Sequence, residues 1–243
     1  METQTQGKSG LTDRARLVAW QLTMLNWPAV PRAVFDLSQP VENGMTVFPG
    51  DPEPRLGPAN AAPPWQVSMI SLGSHTGTHI DAASHYYANG TTIDHYEVSR
   101  FLLPGIVTHL LDLPDDGPIT AAQLEAPLQA APSGGAILLH TGWDRFWKTE
   151  RYLRHPFLTR EAAEAIAAAR PRLLGIDALN PDSTVQQTAH AHEILLRADV
   201  LIVENLTGLG QLQPGRIYGV SVLPLNLTQL DGSPVRAVAW EAG

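Results

Sequence analysis

His75-Thr76-Gly77-Thr78-His79-Ile80-Asp81-Ala82-Ala83-Ser84-His85 packs three histidines and a carboxylate around a glycine. Positions 75, 79, 81 and 85 are separated by even offsets. Side chains two apart on an extended segment share a face, so the spacing predicts a strand or strand-loop with all four groups pointing one way. Gly77 falls on that face and, having no side chain, leaves room for an ion. A helix would also pair His75 with His79, but Thr-Gly-Thr is poor helix sequence. Imidazole plus carboxylate, in a chain with no cysteine, suits zinc, manganese or iron rather than a thiolate-type structural zinc site.

A catalytic metal site usually draws ligands from more than one segment. The second candidate stretch is His192-Glu193-Ile194-Leu195-Leu196, followed by Val200-Leu201-Ile202-Val203-Glu204-Asn205-Leu206. Glu204 ends a strongly apolar run, where a carboxylate is costly unless it is paired or coordinates a metal. The alternative for Glu204 is a strand-end surface carboxylate, since Glu is mostly exposed. His190, two residues before His192, is the competing imidazole.

Strand-like runs occur at 33–37, 67–72, 105–111, 136–140, 173–176, 200–203, 216–223 and 235–240. Thr159 caps a helical run at 160–170 that Pro171 closes, Thr120 precedes another at 121–129, and a third covers 189–197. Strands outnumber helices and alternate with them, which predicts an α/β fold with a sheet-rich core. No Gly/Ser tract, charge run or repeat marks a linker, so residues 34–243 read as one domain. Residues 1–33 read as a polar tail (1–10) and a helical arm (11–25), serving either packing or an oligomer contact. Asp13, Arg14 and Arg16 interrupt any signal-peptide core.

The formal charge of -8 argues against nucleic acid, which requires a clustered basic surface. Apolar runs such as 200–203 are too short to cross a bilayer. The absence of cysteine fits a reducing compartment, read here as the cytoplasm.

The opening stretch resembles the H-x-G-T-H-x-D-x-P-x-H signature of the cyclase family, which includes bacterial kynurenine formamidases and isatin hydrolases. Ala83 stands where the family usually has proline, a change expected to loosen the loop carrying His85. Asp36-Leu37-Ser38 with Val47-Phe48-Pro49-Gly50-Asp51, Thr141-Gly142-Trp143, Gly175-Ile176-Asp177 and Pro234-Val235-Arg236-Ala237 resemble further family segments in the same order, from Asp36 to Trp240.

The resemblance implies a swivelling β/β/α cyclase-like fold with a mixed sheet core. It also implies a site of one or two divalent ions, zinc first and manganese as the alternative. One ion would be held by His75, His79, Asp81 and Glu204, the other by Asp81, His192 and Glu204, with His192 preferred to His190 on family spacing. His85 is then cast as acid/base, because an ordinary imidazole titrates near neutrality. Water acidified by the ion attacks an amide carbonyl, and His85 protonates the leaving nitrogen.

The implied enzyme is a metal-dependent hydrolase of a small aryl-formamide. Its alternatives are an isatin-type cyclic amide hydrolase or a polyketide-type cyclase on the same site. Phe48 stands where formamidases of the family tend to have a substrate-facing tryptophan, and is the substrate-binding candidate. Trp143 and Trp147 either line the pocket or, as buried Trp more often does, build core. Tyr86 and Tyr87 are candidate donors, and His95, His109, His140 and His155 are assigned to structure or surface. The expected partner is a small-molecule substrate, with the chain as a homodimer or homotetramer.

Overall fold

The computed structural model describes residues 33–241; the tail at 1–10 and the helical arm at 11–25 lie outside the described residues. In chain order the strands are β1 Val34–Asp36, β2 Arg55–Pro58, β3 Ser68–Ser71, β4 His79–Asp81, β5 Leu102–His109, β6 Pro118–Ile119, β7 Ala136–His140, β8 Phe157–Leu158, β9 Leu173–Ile176, β10 Leu201–Glu204, β11 Tyr218–Ser221, β12 Gly232–Pro234 and β13 Val238–Glu241. The helices are α1 Ala121–Ala130, α2 Arg160–Ala169 and α3 His190–Arg197.

Nine strands form one mixed sheet in the order β1-β13-β11-β5-β7-β9-β10-β4-β12. Its centre, β5-β7-β9-β10, is parallel, and its flanks are antiparallel. Parallel strands are buried on both faces and read as continuous apolar runs, which is why Ala136-Ile137-Leu138-Leu139 shows no alternation. The period of two survives in the packing. Leu138, Leu173, Leu201 and Val203 join one core cluster, while Ile137, Leu139, Leu174 and Ile202 join the other.

The second cluster lies under the helices, through Leu124 of α1, Ala162 and Ile166 of α2, and Leu195 and Leu196 of α3. Those helices are the crossovers between successive parallel strands. Thr159 caps α2 as its sequence predicts, its hydroxyl accepting from the Ala162 amide at 3.2 Å. The first cluster joins Ile80 of β4 to Val220 of β11 and Ala239 of β13. The sheet therefore curls so that its two flanks share one core, and the bridge Ser38↔Leu206 ties the exits of β1 and β10. Asp36 pairs with Arg236, the Nε–Oδ1 distance being 2.8 Å, so the two terminal sequence segments meet.

The expectation of one extended stretch from 75 to 85 is corrected. Only His79–Asp81 is strand; His75 lies in a turn, and His85 ends a 3-10 turn over Ala83–His85. Gly77 does not make room for an ion either. It adopts φ +65, and a Cβ there would lie 3.1 Å from Val41 Cγ2, so glycine is needed for the left-handed turn. The four groups converge because the chain bends around β4, not because it alternates. The segment at 67–72 forms a separate hairpin, β2 with β3, outside the main sheet.

Candidate metal centre

β4 lies between β10 and β12, with Glu204 directly opposite His79 and Ile202 opposite Asp81. Ile80 points into the first core cluster, fully buried, and burying such a side chain stabilises by about 1.5–3 kcal/mol. That anchorage turns His79 and Asp81 to the other face, where Glu204 joins them. His192 arrives on the first turn of α3. Asp182 accepts from the amides of Ala191 and His192, each at 3.0 Å, and so fixes the helix start.

The carboxylates divide their oxygens between two half-sites. Asp81 Oδ1 lies 2.8 Å from His75 Nδ1 and 3.3 Å from His79 Nε2, and Glu204 Oε2 lies 3.3 Å from the same His79 nitrogen. On the other side, His192 Nε2 is 3.2 Å from Glu204 Oε1 and 3.7 Å from Asp81 Oδ2. His75, His79 and Asp81 are spaced to hold one ion, and Asp81, His192 and Glu204 another.

The ring tautomers suit ligation. His79 Nδ1–H donates to the Gly77 carbonyl at 2.8 Å and His192 Nδ1–H to Asp182 at 2.8 Å, so that each Nε2 is turned inward and is the nitrogen an ion would take from its proton. Asn205, at φ 55, donates to the same Gly77 carbonyl and accepts from the Tyr152 hydroxyl. This gives the asparagine after Glu204 its reason: Asn tolerates the left-handed region and braces the His79 loop. Three buried atoms here have no hydrogen-bond partner, His79 Nε2, Asp81 Oδ2 and Glu204 Oε1. Buried polar atoms are rarely left so. An all-nitrogen-and-oxygen set whose Nε2 and carboxylate atoms converge in this way fits a divalent cation that displaces the imidazole protons.

His85 stands at the edge of this cluster, its ring centroid 4.0 Å from that of His75 and 5.5 Å from that of His192. The loop that Ala83 opens is held by its own hydrogen bonds and packing. The Ala83 amide, which proline would lack, donates to the Tyr96 hydroxyl at 3.3 Å. The His85 amide donates to Ala82 at 2.9 Å and the Ser84 amide to Thr91 at 3.2 Å. Gly90 packs so closely that a Cβ would sit 2.4 Å from the Ala83 carbonyl carbon.

A cavity of about 490 Å³ opens over the cluster, lined by His75, His85, His192 and Glu204 and walled in part by Phe48 and Tyr86. Tyr87 instead donates its hydroxyl to the Glu193 carbonyl. Trp143 is buried core, and Trp147 packs against the same cluster. His190 donates to the Leu158 carbonyl at 2.8 Å and is not the inward imidazole. His140 gains through space the partners its sequence spacing hides, Asp144 and Asp177. Both oxygens of Asp177 accept from Thr141 and Gly142, and Asp144 Oδ2 accepts from Thr207 and Gly208, while burial lifts the Asp177 pKa to about 7. Sequence reasoning missed Asp182 and Asp231. Neither sits in a ligand-like motif; both reach the site from distant loops.

Burial opposes a charge on His79, but Asp81 and Glu204 overcome it and raise its pKa to about 10. Burial likewise opposes charging His75, and Asp231 and Asp81 raise it to about 9. Asp81 is pushed up by burial yet held well below the usual carboxylate range by His79, His192 and His75. For the raised imidazoles, stability is fully present below their ordinary value of about 6.5 and lost as pH climbs through their folded values. The melting temperature of metal-stripped protein should therefore fall from about pH 6.5 to about pH 10. Ion addition near neutrality should release protons, because both compete for the same nitrogens. Differential scanning fluorimetry and an indicator dye check this; a flat profile with no proton release would contradict it.

The Cyclase family model, described as "Putative cyclase", matches residues 35–183. Kynurenine formamidase of Bordetella avium (strain 197N) is 33% identical over 217 residues, covering 87% of this chain and 100% of that protein. Kynurenine formamidase of Paracidovorax citrulli (strain AAC00-1) is 33% identical over 225 residues, covering 86% and 96%. An isatin hydrolase solved with the product analogue thioisatinate superposes with a TM-score of 0.78 at 21% identity, covering 96% of this chain and 100% of that one; that likeness shows the fold. A potential metal-dependent hydrolase with cyclase activity gives 0.73 at 27% identity, covering 87% and 98%. With its signature stretch folded into a two-sided nest of imidazoles and carboxylates, the chain belongs to the cyclase family.

Proposed function

We propose that this chain is a metal-dependent amidohydrolase that splits the C–N bond of a small aryl-formamide, as its kynurenine formamidase relatives are named for doing. The observation that carries the reading is the pair Asp81 and Glu204, each presenting separate oxygens to two imidazole sets below an open cavity. His75, His79, Asp81 and Glu204 would hold one ion and Asp81, His192 and Glu204 the other. Zinc is the first choice and manganese the second. A bound divalent ion supplies Lewis acidity, polarising a carbonyl and making water acidic enough to react at neutral pH.

The residues do the rest. Phe48 on the cavity wall packs against the aryl ring. Gly77, Asn205 and Asp182 keep His79 and His192 in the ligating tautomer. His85, a third exposed on its side chain, takes a proton from the attacking water and delivers it to the leaving nitrogen. The balance is aryl-formamide plus water giving arylamine plus formic acid. In this reading residues 34–243 act as one hydrolase domain with 1–33 as an arm. The enzyme works in the cytoplasm as a homodimer or homotetramer on a small molecule, without nucleic acid or membrane. Among the described residues, no helix is long and apolar enough to cross a membrane.

The test is hydrolysis of N-formyl-L-kynurenine by protein reconstituted with zinc or manganese, against a metal-stripped control. Metal-dependent release of kynurenine supports the reading. No turnover by protein shown to hold its metal sinks it and moves the substrate to cyclic amides such as isatin or to a biosynthetic cyclisation.

A further inference from the structure

We propose that Asp231, seated by Gly232, is a positioning residue that sets both the metal ligand His75 and the acid/base His85 through one carboxylate oxygen. The inference rests on the hydrolase reading above. Asp231 Oδ2 lies 3.0 Å from His75 Nε2 and 3.6 Å from His85 Nδ1. The two rings are 4.0 Å apart between centroids and tilted by 41°, so a single oxygen between them faces both.

The consequences differ for the two imidazoles. His75 donates from Nε2 to Asp231 at 3.0 Å and from Nδ1 to Asp81 Oδ1 at 2.8 Å; with Asp231 holding the Nε2 proton, the proton an ion would displace is the one on Nδ1. A carboxylate behind a ligating histidine fixes its tautomer and raises its basicity. For His85 the 3.6 Å separation is longer than a direct hydrogen bond. The Asp231 carboxylate, 41% exposed on its side chain, faces His85 Nδ1 across that gap as the nearby negative charge. That charge favours a proton on Nδ1 and so keeps Nε2 of His85 available for the proton transfers.

The backbone explains how an unremarked loop residue acquires this place. The Ala82 amide donates to the Asp231 carbonyl at 2.9 Å, and Gly232 is registered opposite Asp81 in the β12–β4 pair. The carboxylate is thereby tied to the strand that carries the ligands, although the two lie far apart in sequence. Gly232 completes the seat. A Cβ there would fall 2.7 Å from the Ile80 carbonyl oxygen and 2.9 Å from His75 Cε1, so only glycine leaves space for the imidazole.

The test compares Asp231→Ala, Asp231→Asn and Asp231→Glu with wild type. Zn2+ affinity is measured first, by competition with a chromophoric chelator and without substrate. Next come kcat and KM on an aryl-formamide at saturating Zn2+. Asp231→Ala is expected to lose about 10–100-fold in Zn2+ affinity. Its kcat should fall on the order of tenfold or more, with KM changed by less than about twofold. Asp231→Glu should recover part of both losses. Should the alanine variant fold poorly, Asp231→Asn, which keeps the size but not the charge, carries the same comparison. Wild-type affinity or wild-type kcat in the folded variant overturns the proposal. If wild-type protein turns over no aryl-formamide, the hydrolase reading fails instead, and the affinity comparison alone then decides the role of Asp231 behind His75.

Discussion

Asp81→Asn is expected to abolish metal binding and turnover together. Asp81 is fully buried and, among the described residues, is the one carboxylate within reach of all three candidate ligand imidazoles, His75, His79 and His192. Its two oxygens belong to different half-sites, so no single-site loss is available. Asparagine keeps the shape but presents an NH2 group to one of those half-sites, where a donor opposes both a cation and a protonated imidazole. Lewis-acid stabilisation is worth several kcal/mol, so kcat/KM should fall on the order of 10³-fold or more. Metal content by atomic emission and turnover on N-formyl-L-kynurenine check this. Variant protein that is metal-free yet active would end the bridging role.

His85→Ala should separate what Asp81→Asn removes at once. His85 lies beside the ligand cluster but outside both half-sites, and its ring borders the cavity. Truncation should leave metal content near wild type and lower kcat by about 10²–10⁴-fold, the usual contribution of a placed acid/base group. A competing arrangement exists, because His75, His85 and Asp231 are themselves close enough to share an ion. Metal analysis decides between the two: a variant that loses its metal makes His85 a ligand and reverses the assignment of roles.

Why some of this was legible in sequence and some was not follows from the range of each interaction. His75, His79, Asp81 and His85 announce themselves because ligand-type residues crowd into a short stretch. Glu204 does so because a carboxylate ending an apolar run conflicts with burial unless something offsets it. The caps of α1 and α2 were readable because Thr120 and Thr159 act within one turn of themselves. The route by which the four signature groups converge was not readable. Even spacing suggested one strand face, but Gly77 turns left-handed and the chain coils after Asp81. The choice of His192 over His190 was open from residues alone, since both open the same helix; Asp182 and the Leu158 carbonyl settle their orientations.

By itself the sequence determined the ligand chemistry, the α/β pattern of strands and capped helices, and the family, all of which rest on local composition and short spacings. The tertiary structure alone decided which oxygen faces which imidazole, which ring nitrogens turn inward, and that Asp182 and Asp231 lie against the candidate ligands His192 and His75. The physical reason is that these depend on strand register and on the curl of the sheet. β4 is locked between β10 and β12, and those pairings bring together residues whose separation along the chain carries no trace of their contact.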